Sequence, residues 1–225
     1  MISRKLKSAY YALLSKPMQF NAFFYRSFMA PTRGTAKVQL GPGQKNYLQG
    51  WINVDANLFT AKHDVWADIR HKLPFRNNSI DVFYSHHVIE HLPDVLLPYH
   101  FQEMFRCLKP NGIIRVGGPH GDNAAAKLIE GDAGWFPDWP DKRNSAGGRF
   151  VNFIFCRGEH LTILTFSYLS EIARQVGFRN VRLCKPAIET HHPCVIDMNI
   201  LGGKEWERTP DCPHTLIIEA EKSSS

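Results

Sequence analysis

No run of about 18 consecutive apolar residues occurs in the 225-residue chain, so no segment reads as a membrane-spanning helix. The five cysteines (Cys107, Cys156, Cys184, Cys194 and Cys212) form no CxxC pair and are odd in number. That argues against a disulfide framework and a zinc knuckle, and points to a reducing, cytoplasmic setting. Acidic residues are missing from positions 1–35, which hold Arg4, Lys5, Lys7, Lys16, Arg26 and Arg33. The formal net charge of +6 therefore resides in this arm, and the rest of the chain balances to zero. A body without basic excess is not built to neutralise phosphates, so nucleic acid is not expected as a partner.

The same arm is rich in aromatics: Tyr10, Tyr11, Phe20, Phe23, Phe24, Tyr25 and Phe28. Cationic heads with aromatic bodies suit three roles. These are a helix packed over the domain, peripheral contact of residues 1–30 with an anionic membrane, or an acid-free transit peptide.

From residue 36 the pattern alternates strands with helices. Strands are expected at Ala36–Gly41, Trp51–Asp55, Asp64–Ile69, Ile80–Ser85 and Ile113–Val116, and closing strands at Val181–Cys184 and Leu216–Ala220. A helix is expected over Pro98–Leu108, where Phe101, Met104, Phe105 and Leu108 share a face. Another is expected over Phe166–Val176, with Ser167 as N-cap and Gly177 at its end. Seven strands in this alternation predict an α/β, Rossmann-like, mostly parallel sheet with helices on both faces and an antiparallel last strand. The arm then spans 1–35 and the domain 36–222. Residues 119–160, dense in Gly, Pro, Asp and Trp, read as a long acceptor-side loop insertion. Residues 186–214 read as irregular, and Ser223–Ser225 as a fraying end.

The first strand runs into Gly41-Pro42-Gly43, and the second ends at Asp55. A glycine turn lets a backbone approach a ligand, and an acid at the neighbouring strand tip suits a ribose diol. Too few residues separate Gly43 from the second strand for a full helix, so no strong anion site for a pyrophosphate is available there. The ligand expected is a nucleoside without phosphates.

The segment LGPGQKNYLQGWINVD (residues 40–55) resembles the glycine-loop motif of class I S-adenosylmethionine-dependent methyltransferases, in the group with a shortened loop. The likeness continues through ADIRHKLPFRNNSIDVFYSHHVIEHLPD, MFRCLKPNGIIRV and QVGFRNVRL, covering roughly residues 36–183. It implies S-adenosyl-L-methionine as cofactor. Gly41, Pro42 and Gly43 would pass the methionine portion, Asp55 would hold the ribose, and Asp68 with the Ile69 amide would take the adenine. Ser85 and His86 would lie beside the sulfonium.

For a hydroxyl acceptor a base is needed, and histidine titrates in the right range. His120, just beyond the fifth strand, is the first candidate, with Asp122 to orient it, and His160 is the second. His91 and Glu90 read as capping or packing residues, and no metal site can be assembled from the sequence. Trp135 and Trp139 could stack a sugar, or could form an aromatic cluster that holds the loop together. Within the resembling group the acceptor expected is a saccharide or cell-surface glycan precursor. The alternatives are a quinone, a lipid or a small natural product, or a binding protein without turnover. The end of the fourth strand, SHHVIE, lacks the Asp/Asn-Pro-Pro-aromatic grip of a DNA amino-methyltransferase.

Overall fold

The computed structural model describes residues 4–31, 34–205 and 207–223, with the side chains of Arg4, Lys5 and Lys7 outside that description. Arg33, the first three residues of the arm, and Ser224 and Ser225 of the expected frayed end also lie outside the described residues.

Seven strands form one sheet: β1 Lys37–Leu40, β2 Ile52–Asp55, β3 Val65–Trp66, β4 Ile80–His86, β5 Leu108–Pro119, β6 Phe178–Cys184 and β7 Thr215–Lys222. Their order is β3-β2-β1-β4-β5-β7-β6, and β7 alone runs antiparallel to its two neighbours. The helices are α1 Arg4–Phe24, α2 Leu97–Cys107, α3 Gly121–Glu130, α4 Ala146–Phe155, α5 Phe166–Val176 and α6 Met198–Leu201. This is the expected mostly parallel sheet. None of the described helices is long and apolar enough to cross a membrane.

Helices lie on both faces, but unequally. On one face α2 and α5 place Phe101, Met104, Leu169, Ile172 and Ala173 over Val38, Phe83, Ile114, Val116 and Ile218. The other face carries Val82, Tyr84 and Ile113, covered by Trp51, Ile196 and Leu201 from turns and the single-turn α6. The irregular segment before β7 is fixed there by Arg115 of β5. This fully buried side chain reaches Glu205 and Glu219 at 2.6 Å and the Glu189 carbonyl at 3.0 Å. Both carboxylates gain further donors, from the Ala187 amide and from Thr190 and the His191 amide. A buried ion group persists when its remaining lone pairs are satisfied in this way.

Several boundaries differ from expectation for local reasons. The third strand is only Val65–Trp66, because beyond Ala67 the chain turns, with the His71 amide on the Asp68 carbonyl. The fifth strand is longer than expected, since it pairs with both β4 and β7. The cap of α5 is Thr165, whose Oγ1 accepts from the Tyr168 amide, in place of Ser167. Gly177 ends that helix as expected, at φ 111°.

Residues 119–160 are not one long loop. They form α3, closed by Gly131 at φ 72°, and α4, capped by Ser145. Trp135, Phe136, Ala124 and Ile154 make a small second core between them.

The arm packs as a helix. Met18 and Ala22 of α1 are buried, and Tyr25, in a π-helical turn at Tyr25–Met29, meets Phe75 edge-on. Tyr10 Oη donates to the Ala56 carbonyl at 2.6 Å, and Asn21 donates to the Trp66 carbonyl at 2.7 Å. These bonds fasten α1 across the loops that follow β2 and β3.

Candidate active site

The site lies where parallel strands end, the general location for ligands in open α/β sheets. The turn after β1 needs its glycines. Gly41 has φ 66°, and a Cβ on it would stand 2.4 Å from Val88. Gly43 has φ 56°, with open space where a Cβ would be. Its amide donates to Asp55 Oδ2 at 2.9 Å, while the Asn57 amide donates to Oδ1 at 2.8 Å. A carboxylate has about four acceptor positions, so Asp55 keeps two for a diol.

Two cavities lie nearby, and Asp55, Asp68 and Ser85 line neither. A smaller one of about 450 Å³ is lined by Gly41, Pro42, Gly43, His86 and Lys204 among others. A larger one of about 1120 Å³ extends from Tyr10 and Tyr11 of α1 past Glu90 and His91 to Trp139 and His160. His87, at φ 54° just past β4, lines both. Its Nδ1 lies 3.2 Å from Glu90 Oε1 and its Nε2 lies 3.3 Å from Thr215 Oγ1.

Ser85 and His86 end β4 as expected. Ser85 Oγ and His86 Nε2 are buried without a protein partner, as unused polar atoms beside a ligand would be. Burial, with His87 alongside, pushes the His86 imidazole down to about 3, so it is neutral across the physiological range.

Arg70 and His100 engage the turn expected to meet adenine. Both oxygens of Asp68 are gripped by the fork of Arg70, at 2.5 to 3.0 Å. Its hold on an adenine amine therefore requires Arg70 to swing aside. Ile69 packs its half-buried side chain against the core and gives its carbonyl to His100 Nδ1 at 3.2 Å; neither contact involves the amide expected to meet adenine. The glycine turn with its Asp55 bond, and the unpartnered Ser85 Oγ and His86 Nε2, offer polar groups a nucleoside could use, and Arg70 occupies Asp68.

His120 lines neither cavity. It is the N-cap of α3, its Nδ1 accepting from the Asn123 amide, and burial lowers its pKa. Asp122 does not orient it. Its Oδ2 accepts from the Phe166 amide at 2.8 Å and stands 3.9 Å from His120. The fifth strand feeds directly into α3, which places His120 at its N-cap.

His160 does face the large cavity. Its position follows from the Leu161 and Thr162 amides, both donating to the Glu90 carbonyl. That docks the segment after α4 onto the turn after β4 and sets His160 beside His91, with ring centroids 5.0 Å apart. Glu90 is buried, which works against its charge, but the His87 hydrogen bond and the nearby His91 win and lower its pKa. Burial lowers that of His160.

Trp135 is a packing residue. It stacks on His214 with centroids 4.3 Å apart, and its indole N–H donates to the Cys212 carbonyl. Trp139 is 60% exposed at the cavity rim.

Sequence reasoning gave His87 no role and missed those of Tyr10 and Tyr11. It also missed the Glu207–His214 pair, joined at 2.8 Å on the far wall. The EHL segment was noticed, but nothing in spacing ties His91 to a histidine 69 positions away.

Residues 52–116 match the family model described as a methyltransferase domain. The matched segment spans β2 to most of β5. The fold of the chain is that of solved S-adenosylmethionine-dependent methyltransferases. One is from Mesorhizobium loti, 18% identical, covering 88% of this chain and 96% of that one, with a TM-score of 0.51. Another is from Archaeoglobus fulgidus, also 18% identical, covering 98% of this chain and 95% of that one, with a TM-score of 0.54. A third, from Thermotoga maritima, is described as a possible histamine N-methyltransferase. It is 14% identical, covers 98% of this chain and 96% of that one, and has a TM-score of 0.53. No curated protein matches the chain. The matched segment contains Asp55, Asp68 and the whole of the β4 turn with His87, Glu90 and His91.

Proposed function

We propose that this enzyme moves the methyl group of S-adenosyl-L-methionine to a hydroxyl on an acceptor with a largely apolar skeleton. The observation that carries the donor half is the Gly43 amide on Asp55, which joins the glycine turn to the acid beside a cavity. When bound, the cofactor supplies an electrophilic methyl on a positively charged sulfur.

The chain's residues then act on the acceptor. His87, where the two cavities meet, takes the hydroxyl proton, and Glu90 holds its ring through Nδ1. The deprotonated oxygen would take the methyl from the bound donor, which would leave as a neutral thioether. Alignment of oxygen, methyl and sulfur contributes much of the rate, and the base contributes about 10²–10⁴-fold. His87→Ala should lower turnover by that order while S-adenosylmethionine still binds. Full activity in this variant removes His87 as base.

The acceptor class follows from the large cavity, whose walls include Leu6, Tyr10, Leu13, Phe59, Pro137 and Phe153. Such walls suit an aromatic, quinone-like or lipidic body. A saccharide acceptor draws support from exposed Trp139 alone, since Trp135 is spent on packing.

The outer stripe of α1 fits the same acceptor. Leu6, Leu13, Phe20 and Phe24 follow one another at helical spacing and are exposed, Leu13 to 78%. Leu6 and Leu13 also border the cavity. With lysines and no acids in the arm, this stripe would rest on an anionic cytoplasmic leaflet and open the cavity toward it. The five free thiols support a reducing compartment.

A further inference from the structure

We infer that Glu90, His91 and His160 form a binding site for one divalent transition cation at the wall of the large cavity. One ligand-capable atom from each residue lies within 4.8 Å of the others. His91 Nε2 is 3.9 Å from Glu90 Oε1, too far for a direct hydrogen bond.

The outer contacts decide what these atoms offer. His91 Nδ1 is 2.9 Å from the Glu159 carbonyl, and His160 Nδ1 is 3.0 Å from the Ile154 carbonyl. A carbonyl only accepts, so each Nδ1 carries a hydrogen and Nε2 is the nitrogen left to ligate a cation. Metal-binding histidines are held in this way, by a backbone acceptor on the other ring nitrogen. Lone pairs on two such nitrogens, converging on a carboxylate, repel one another unless a cation or a proton is shared among them.

Glu90 supplies the anionic ligand. It is 1% exposed, and its Oε2 has no protein partner. The backbone leaves room for that oxygen, because a Cβ on Gly118 would stand 2.8 Å from it. His87 holds the other oxygen, an outer support of the same kind. All three ligands also line the cavity, so further coordination positions would face whatever binds there.

Two imidazoles and one carboxylate suit Zn²⁺, Fe²⁺ or Mn²⁺ better than Mg²⁺ or Ca²⁺, which prefer all-oxygen sets. The site also refines the acceptor. A cation with open positions beside the transfer site selects an acceptor whose hydroxyl, or adjacent pair of oxygens, can ligate it. That refinement rests on the methyltransferase reading, whereas the cation site itself does not.

The test uses tag-free full-length protein stripped with a chelator. Zn²⁺, Mn²⁺ and Mg²⁺ are titrated separately by calorimetry, and Co²⁺ binding is followed by its visible absorption. The expected result is one site per chain, with Zn²⁺ tighter than Mn²⁺ and Mn²⁺ tighter than Mg²⁺. His160→Gln, at the cavity side, and His91→Ala should each weaken Zn²⁺ by about tenfold or more and change the Co²⁺ spectrum, with unfolding midpoints checked in parallel. Absence of stoichiometric Zn²⁺ binding overturns the site, as does unchanged binding in His91→Ala/His160→Gln. S-adenosylmethionine is titrated into the same samples. Cofactor binding without cation binding sinks only this inference, and cation binding without cofactor binding sinks only the donor reading.

Discussion

The Arg70 guanidinium lies 3.9 Å from the centre of the Tyr11 ring while its fork grips Asp68. Through this stack the amino-terminal helix reaches the carboxylate expected to read adenine. The arm and the Asp68 turn are therefore packed together through Arg70.

Breaking this stack should register in stability. Arg70→Ala leaves a carboxylate that is 3% exposed without its partner, although Arg70 itself is 32% exposed, which lessens the loss. A destabilisation of about 1–3 kcal/mol is expected, measured by urea unfolding. No change would show that water replaces the guanidinium without cost.

His120 should matter for folding and not for turnover. His120→Ala removes a helix cap, at about 1 kcal/mol, and His120→Asn should restore it. Turnover in either variant should stay close to the parent. A hundredfold fall with normal stability would return His120 to the chemistry.

The two tryptophans should separate cleanly. Trp135→Ala empties the core between α3 and α4 and should cost about 3–5 kcal/mol. Trp139→Ala should leave the unfolding midpoint unchanged and raise the acceptor KM. Equal destabilisation by both would contradict the assignment of Trp139 to the rim.

The Glu207–His214 pair predicts a window of pH stability. Burial opposes both charges. The His214 hydrogen bond and several backbone amides nevertheless bring Glu207 from 4.5 down to about 2. The bonds to Glu207 and the Trp135 carbonyl raise His214 above 6.5. The Glu207 contribution is complete above 4.5 and is lost as pH falls toward 2. The His214 contribution is complete below 6.5 and is lost as pH rises through its folded value. The stability difference between the parent and Glu207→Gln should thus peak between pH 4.5 and 6.5. A difference that is flat across pH 3–8 contradicts the pairing.

The arm's contact with lipid is best tested on its outer stripe. Deleting residues 1–30 would also remove Met18, Ala22 and Tyr25 from the core side. Leu13→Glu with Phe20→Glu spares them, and should reduce sedimentation with anionic vesicles while leaving thermal stability intact. Unchanged sedimentation leaves α1 as a packing element.

What was legible in the sequence was what local pattern controls. The succession of strands and helices follows from alternation, and Gly41, Gly43 and Asp55 announce themselves because a tight turn and a strand-tip acid are local features. Gly177 and the buried face of α2 were readable for the same reason. Long-range partners were not. Nothing near Asp68 in the chain signals that Tyr11 would back Arg70 against it. Nothing near His91 signals that amides of residues 161 and 162 would bring His160 alongside. His120 misled because a histidine after a strand and before a helix looks alike whether it faces a ligand or caps that helix. The 119–160 segment was taken for a loop because its turn-rich centre, residues 131–145, obscured the helices on either side.

The donor site is tested most directly by titrating S-adenosylmethionine into the protein and into Asp55→Ala in a calorimeter. The parent should bind one equivalent per chain, and the variant should bind at least about tenfold more weakly, the loss of a charge-assisted hydrogen bond worth 1.5–3 kcal/mol. Equal affinity in the two proteins, or no binding by the parent, would contradict the account.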